Sequence, residues 1–153
     1  QHLGSVVAEQ LGRPLVLWPG YCPTHARISP REILELKAAH PQALAIAHPE
    51  CPKPVRAVAD RTLSTGQMCR FVPESPAPEF IVATEEGLIH RLKRDNPAKT
   101  FHRVSPFAVC PNMKRNTLEK VLFCLRDMQP AVRVAEPLAS RARRAIEQML
   151  AWS

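Results

Sequence analysis

Short apolar runs alternate with helix starts along most of this chain, and the connections between them are short. That pattern restricts the fold more than any other feature. The runs "PLVLW" (14–18), "ALAIA" (43–47), "RTLS" (61–64), "EFIVAT" (79–84) and "TFHRVS" (100–105) read as strands. Between the first two, "SPRE" supplies Ser29 as N-cap, Pro30 at the first helical position and Glu32 as the partner in a capping box. Ile33, Leu34 and Leu36 give the following helix its apolar positions. A short helix is expected near 54–60 and another from "TGQMCRFV". A third, "TEEGLIHRLKRDN", carries acids in its first turn and bases in its last, as the helix dipole favours. Strand, helix, strand, helix with short links predicts an α/β fold of three layers, αβα, with a mostly parallel sheet in the middle.

The texture changes after Cys110. "NTLEKVLFCLRDM" sets Leu118, Val121, Leu122, Leu125 and Met128 at helical spacing, with Asn116 and Glu119 as capping candidates. A second helix is expected over 137–151. These two form an appended helical tail. The chain's 153 residues suffice for one hydrophobic core. The sixteen prolines gather in loops, around 49–54 and 73–78, which suits sharp turns rather than a disordered linker.

Composition excludes several classes of function. No apolar run approaches the roughly 18 residues of a membrane span, and the first residues lack the pattern of a secretory signal. Five dispersed cysteines argue against a disulfide framework and for reduced thiols in the cytoplasm, some of them candidate metal ligands. Residues 1–85 hold 8 basic and 8 acidic side chains. The excess of +7 therefore comes from residues 86–153, with 13 basic and 6 acidic. Those bases sit on helical faces with few aromatics between them, and the chain has only eight aromatics in all. Solvated helix faces are expected, not a nucleic-acid-binding module.

In parallel sheets, chemistry gathers where strands end and helices begin. Here Cys22 and His25 follow the first apolar run, and His48-Pro49-Glu50-Cys51 follows the second. Ser64-Thr65 follows the third, Thr84-Glu85-Glu86 the fourth, and Cys110 the last. Three readings compete for the sulfur and imidazole groups. Cys22, His25, His48 and Cys51 make up a legitimate tetrahedral zinc set, which would give a non-catalytic metal-binding domain. Dispersed thiolates such as Cys22 and Cys110 suit an iron–sulfur cluster. All of them can equally be turn and core residues, the reading for Cys69 and Cys124 within helical patterns. His48 and Glu50, two apart at a strand end, can point to one side and serve as proton donor, acceptor or anchor. Ser64-Thr65-Gly66 at a helix start offers an anion seat or an ordinary N-cap.

Taken together, "LWPGYCPTH", "HPECP" and "VCPNMK", in this order and at these intervals, resemble the second half of bacterial quinolinate synthase. "STGQM", "FIVATEEGLIHRLK" and "NTLEKVLFCL" are similar to that family as well. The resemblance implies a fold of three similar αβα domains about a pseudo-threefold axis, with one cysteine from each holding a [4Fe-4S] cluster. It matches two of those cysteines to Cys22 and Cys110. His48, Pro49 and Glu50 match the segment that contacts substrate, with His48 and Glu50 catalytic. Thr65, with Ser64 beside it, matches a substrate-binding threonine, and His25 a histidine close to the cluster. On this basis residues 1–24 end the middle domain and 25–104 form the third. Residues 105–153 carry a ligand loop and helices that pack back on the first domain, whose cysteine and pocket residues would lie in a missing N-terminal half. The implied reaction condenses iminoaspartate with dihydroxyacetone phosphate to give quinolinate in NAD biosynthesis. It implies small-molecule substrates, an L-aspartate oxidase as iminoaspartate supplier, a cytoplasmic location, and an isolated chain that is inactive.

Overall fold

The computed structural model describes residues 1–152. Residues 1–111 form one compact unit, and the residues from Asn112 onward form a second. The first unit opens with α1 (His2–Leu11), closed by Gly12 in the left-handed region at φ 63°, where a side chain would be strained. Then come α2 (Pro23–Ala26), α3 (Pro30–Ala39), β1 (Leu44–Ala47) and α4 (Lys53–Val58). They are followed by β2 (Arg61–Thr62), α5 (Thr65–Glu74), β3 (Glu79–Ala83), α6 (Gly87–Asp95) and β4 (Thr100–Arg103). The expected α/β class holds. The four strands form a parallel sheet in the order β2-β1-β3-β4, with Ile46 opposite Val82 and Ile81 opposite His102.

Alternation along the strands gives each face of the sheet its own core. Ala45, Ala47, Ile81 and Ala83 point to one side, where Ile33 of α3 and Val55 of α4 cover them. Ile46, Phe80, Val82 and Phe101 point to the other, against Met68 and Val72 of α5 and Ile89 and Leu92 of α6. Small residues on the first face let α3 and α4 approach closely. Asp60 then ties that layer to the sheet: one carboxylate oxygen accepts from the Ala45 amide at 2.8 Å and the other from Lys37 Nζ at 2.7 Å.

The capping box at Ser29 forms as read. Ser29 Oγ accepts from the Glu32 amide at 3.3 Å, and Glu32 Oε2 accepts from the Ser29 amide at 2.8 Å. Four expectations are corrected. Residues 14–18 are not a strand, and Val16 and Trp18 are exposed. An extended apolar segment becomes a strand only when a neighbour satisfies its amides and carbonyls, and none of the described residues pairs with it. Helix α6 starts at Gly87, so Glu85 and Glu86 precede its first turn rather than occupying it. Thr117, not Asn116, caps the helix that follows. Cys124 is exposed and not a core residue, whereas Cys69 is partly buried against the α5–α6 core.

The second unit contains a 3₁₀ turn (Met113–Arg115), α7 (Leu118–Asp127) and α8 (Leu138–Ala151). Both helices are amphipathic, yet Leu118, Val121, Leu122 and Leu125 of α7 and Ile146, Met149 and Leu150 of α8 are exposed. Among the described residues, no helix is long and apolar enough to cross a membrane.

Candidate metal centre and substrate cleft

The carboxyl ends of β1, β2 and β3 open onto one edge of the sheet, and the loops that leave them converge there. The chain from β1 turns at once: His48 N–H bonds the Ala83 carbonyl at 3.0 Å, and Cys51 N–H bonds back to the His48 carbonyl at 2.9 Å. This tight turn aims two side chains at a third. The His48 ring stacks on His25 with centroids 4.5 Å apart, and Glu50 Oε2 lies 3.6 Å from His25 Nδ1. His48 Nδ1 accepts the Glu50 amide hydrogen at 3.2 Å, so the neutral ring carries its proton on Nε2.

His25 enters from α2, the short helix that Cys22 begins as N-cap. Its Nε2 meets Thr84 Oγ1 at 2.9 Å, in the loop after β3. Its Nδ1 is buried without a hydrogen-bond partner, because 3.6 Å to Glu50 is beyond hydrogen-bond range. Donor atoms of Cys22, His25 and Glu50 all lie within 4.8 Å of one another. A buried, unpaired imidazole nitrogen facing a thiol and a carboxylate is a costly arrangement in an apolar turn, and a reasonable one beside a positive ion or group.

Cys110 is tied to the same edge by a residue that the sequence reading assigns only to a helix's first turn. Glu85 is buried. One of its oxygens accepts the Cys110 amide hydrogen at 3.2 Å, and the other accepts from the Gly87 amide at 2.8 Å. The Glu86 amide bonds the Ala108 carbonyl at 2.9 Å, so the loops after β3 and β4 are stitched together. Glu85 also acts electrostatically on His25. Thr84 and Glu85 thus link the Cys110 loop to the Cys22–His25 turn. The only sequence signal was a carboxylate directly after an apolar strand.

The remaining sequence candidates fall into two groups. Leu63 N–H bonds the Ala47 carbonyl at 2.9 Å, so Ser64 and Thr65 leave the sheet beside His48. Ser64 is engaged as an N-cap with Gln67, its Oγ accepting from the Gln67 amide at 3.4 Å and its own amide donating to Gln67 Oε1 at 2.8 Å. Thr65 is exposed at the first turn of α5, and Pro49 lies buried in the turn between His48 and Glu50. Cys51 departs from the others. Its side chain is fully buried in the α3–α4 core and its thiol donates to the Ala83 carbonyl at 3.4 Å. Burial pushes that thiol up to about 12. The donors that converge are those of Cys22, His25 and Glu50, while the Cys51 thiol turns to the Ala83 carbonyl, so a zinc set of Cys22, His25, His48 and Cys51 is not what this geometry assembles.

Both imidazoles are neutral near pH 7. Burial pushes His48 down to about 4, reinforced by His25 and opposed by Glu50. Burial also lowers His25, against the Glu50 and Glu85 carboxylates. A histidine whose folded value lies below its unfolded value near 6.5 takes up more protons when unfolded. Stability is thus complete above about pH 6.5 and lost as pH falls toward 4. For His48 the loss is at most about 3 kcal/mol, reduced by partial exposure. The urea midpoint of the metal-free chain is expected to drop between pH 7 and 4.5, and His48→Gln to flatten that dependence. An equal drop in both proteins would show that other groups carry it.

Sulfur, imidazole and carboxylate donors thus gather at the carboxyl edge of a parallel sheet in an α/β protein, where ligands of such folds bind. A family model described as "Quinolinate synthetase A protein" matches residues 1–151. The chain is 47% identical over 150 residues to a quinolinate synthase of Dehalococcoides mccartyi, covering 98% of this chain and 50% of the relative. It is 44% identical over 151 residues to the quinolinate synthase of Geotalea uraniireducens and to quinolinate synthase 1 of Methanosarcina acetivorans, covering 99% of this chain and 50% of each. The chain belongs to the quinolinate synthase family. It spans about half the length of the curated relatives it matches.

Proposed function

We propose that this chain is the C-terminal half of a quinolinate synthase, which condenses iminoaspartate with dihydroxyacetone phosphate in NAD biosynthesis, with loss of phosphate and water. The observation that carries this reading is the Cys22–His25–Glu50 group, with Cys110 joined to it through Glu85, in a chain that matches the family end to end. Cys22 and Cys110 would hold a [4Fe-4S] cluster. The donor set suits it: both thiols are only partly buried, and an unpaired imidazole nitrogen and a carboxylate stand beside Cys22. When bound, the cluster supplies a Lewis-acidic iron.

The chain's own residues would do the rest. Neutral His48 offers its Nε2–H to a substrate oxygen or nitrogen and can take a proton elsewhere in the cycle only by changing tautomer. Glu50 accepts a proton from the substrate or anchors its amine. Thr65, at the amino end of α5, seats a substrate carboxylate beside the capped Ser64 and Pro49 shapes the turn. The third cluster cysteine and the rest of the pocket belong to the family's N-terminal half, so the 153 residues alone are expected to show no turnover. Small-molecule substrates, a cytoplasmic site of action and iminoaspartate supplied by an L-aspartate oxidase complete the proposal.

The test joins this chain to the N-terminal half of the Dehalococcoides mccartyi relative and purifies the product without oxygen. About four iron and four sulfide per chain are expected, lost in Cys110→Ser. Zinc retained in that variant, with no iron, would replace the enzyme reading with a structural metal site.

A further inference from the structure

A second group of donors lies away from the carboxyl edge, on the α3 face of the sheet. His40 ends α3 as its C-cap. Its amide donates to the Leu36 carbonyl at 2.8 Å and its carbonyl accepts from the Ala43 amide at 3.0 Å, so its backbone is pinned on both sides. Glu79 opens β3 and His102 stands on β4, and the register sets Glu79 opposite Thr100 and Ile81 opposite His102. Glu79 and His102 therefore project from the same side of neighbouring strands. There the Glu79 carboxylate oxygen Oε2 is 2.9 Å from His102 Nε2 and 3.5 Å from His40 Nδ1. The two imidazoles stack on one another, with centroids 3.7 Å apart.

We propose that His40, Glu79 and His102 form a binding site for a divalent transition metal of the zinc type, separate from the candidate cluster site. A tetrahedral zinc ion with bonds near 2.0–2.2 Å holds its donors about 3.3 Å apart. The two separations bracket that value, and all three donor atoms lie within 4.8 Å of one another. His40, with 35% of its side chain exposed, can close the remaining gap by rotating that side chain. Two imidazoles and one carboxylate are the hard-to-intermediate donors that zinc, cobalt and nickel prefer, with no sulfur among them. All three side chains are partly exposed, which leaves the fourth position to water and gives the ion an entry path. The position also favours a cation, because the carbonyl end of α3 carries partial negative charge. An ion here would clamp the end of α3 to the β3–β4 edge of the sheet.

The experiment titrates the 153-residue chain and its His102→Gln, His40→Gln and Cys22→Ser variants with Co²⁺ and with Zn²⁺. Visible cobalt bands without sulfur charge-transfer absorption are expected to persist in Cys22→Ser and to vanish in both histidine variants. Saturating Zn²⁺ is expected to raise the melting temperature of Cys22→Ser and leave that of the Cys22→Ser/His102→Gln double variant unchanged. If His102→Gln does not fold, as read by far-UV circular dichroism, His40→Gln at the exposed helix end decides. The proposal is overturned if cobalt binds only with sulfur charge transfer and is lost in Cys22→Ser. It also fails if zinc binds Cys22→Ser and the Cys22→Ser/His40→Gln double variant alike, or binds neither.

Discussion

In the chimera with the relative's N-terminal half, Glu50→Gln is expected to lower turnover by at least about 100-fold while leaving the spectrum of the proposed iron–sulfur cluster unchanged. Glutamine keeps the side chain's size and the backbone amide that holds His48 Nδ1. What it removes is a negative charge and a proton acceptor. Glu50 stands beside Cys22 and faces His25 Nδ1, but the proposal gives the cluster to the thiolates of Cys22 and Cys110 and keeps the carboxylate for the substrate. Turnover and absorbance measured on one anaerobic preparation separate the two roles. Loss of the cluster together with activity would make Glu50 part of the metal site. Retained turnover would move the proton transfer to another group, with His48 next to be replaced.

Phe80→Ala is expected to destabilise the chain by about 3–5 kcal/mol, a large share of the roughly 5–15 kcal/mol typical of a folded domain. Phe80 is fully buried in β3. It stacks on Phe101 of β4 with centroids 5.8 Å apart and meets Phe71 of α5 edge-on at 6.4 Å. Lys99 Nζ lies 5.3 Å from its ring centre and donates to the Ser75 and Ala77 carbonyls. Truncation would open a cavity between strand and helix layers where α5 and α6 cannot close in without leaving the sheet. Urea unfolding measures the loss, and Phe107→Ala, at a ring that is 69% exposed, is the control with a shift under about 0.5 kcal/mol. Equal effects at the two positions would refute this account of the core.

Much of the fold was legible because its signals are local. The Ser29 and Ser64 caps, the apolar strand β3, and the bases closing α6 each depend on residues a few positions apart. His48 and Glu50 were readable as a pair for the same reason, being two apart at a strand end. Residues 14–18 misled because a strand is defined by its partner, and an apolar run carries no record of whether one is present.

The sequence by itself determined the layer architecture, the parallel sheet, and the edge on which His48, Glu50 and Cys110 stand, since periodicity and turn chemistry fix those without reference to distant residues. Cys22 is not among them, because the strand it was to follow does not form. Only the tertiary structure decided where side chains point and which distant ones meet. It turned Cys51 inward to the Ala83 carbonyl while Cys22 stayed with His25 and Glu50. It joined Cys110 to the site through buried Glu85, 25 residues earlier in the chain. It also brought His40, Glu79 and His102 together from a helix end and two strands. Each of these depends on strand register and on how a helix lies across the sheet. Shifting either strand by one residue would turn Glu79 or His102 to the opposite face, and no local pattern in the chain records that alignment.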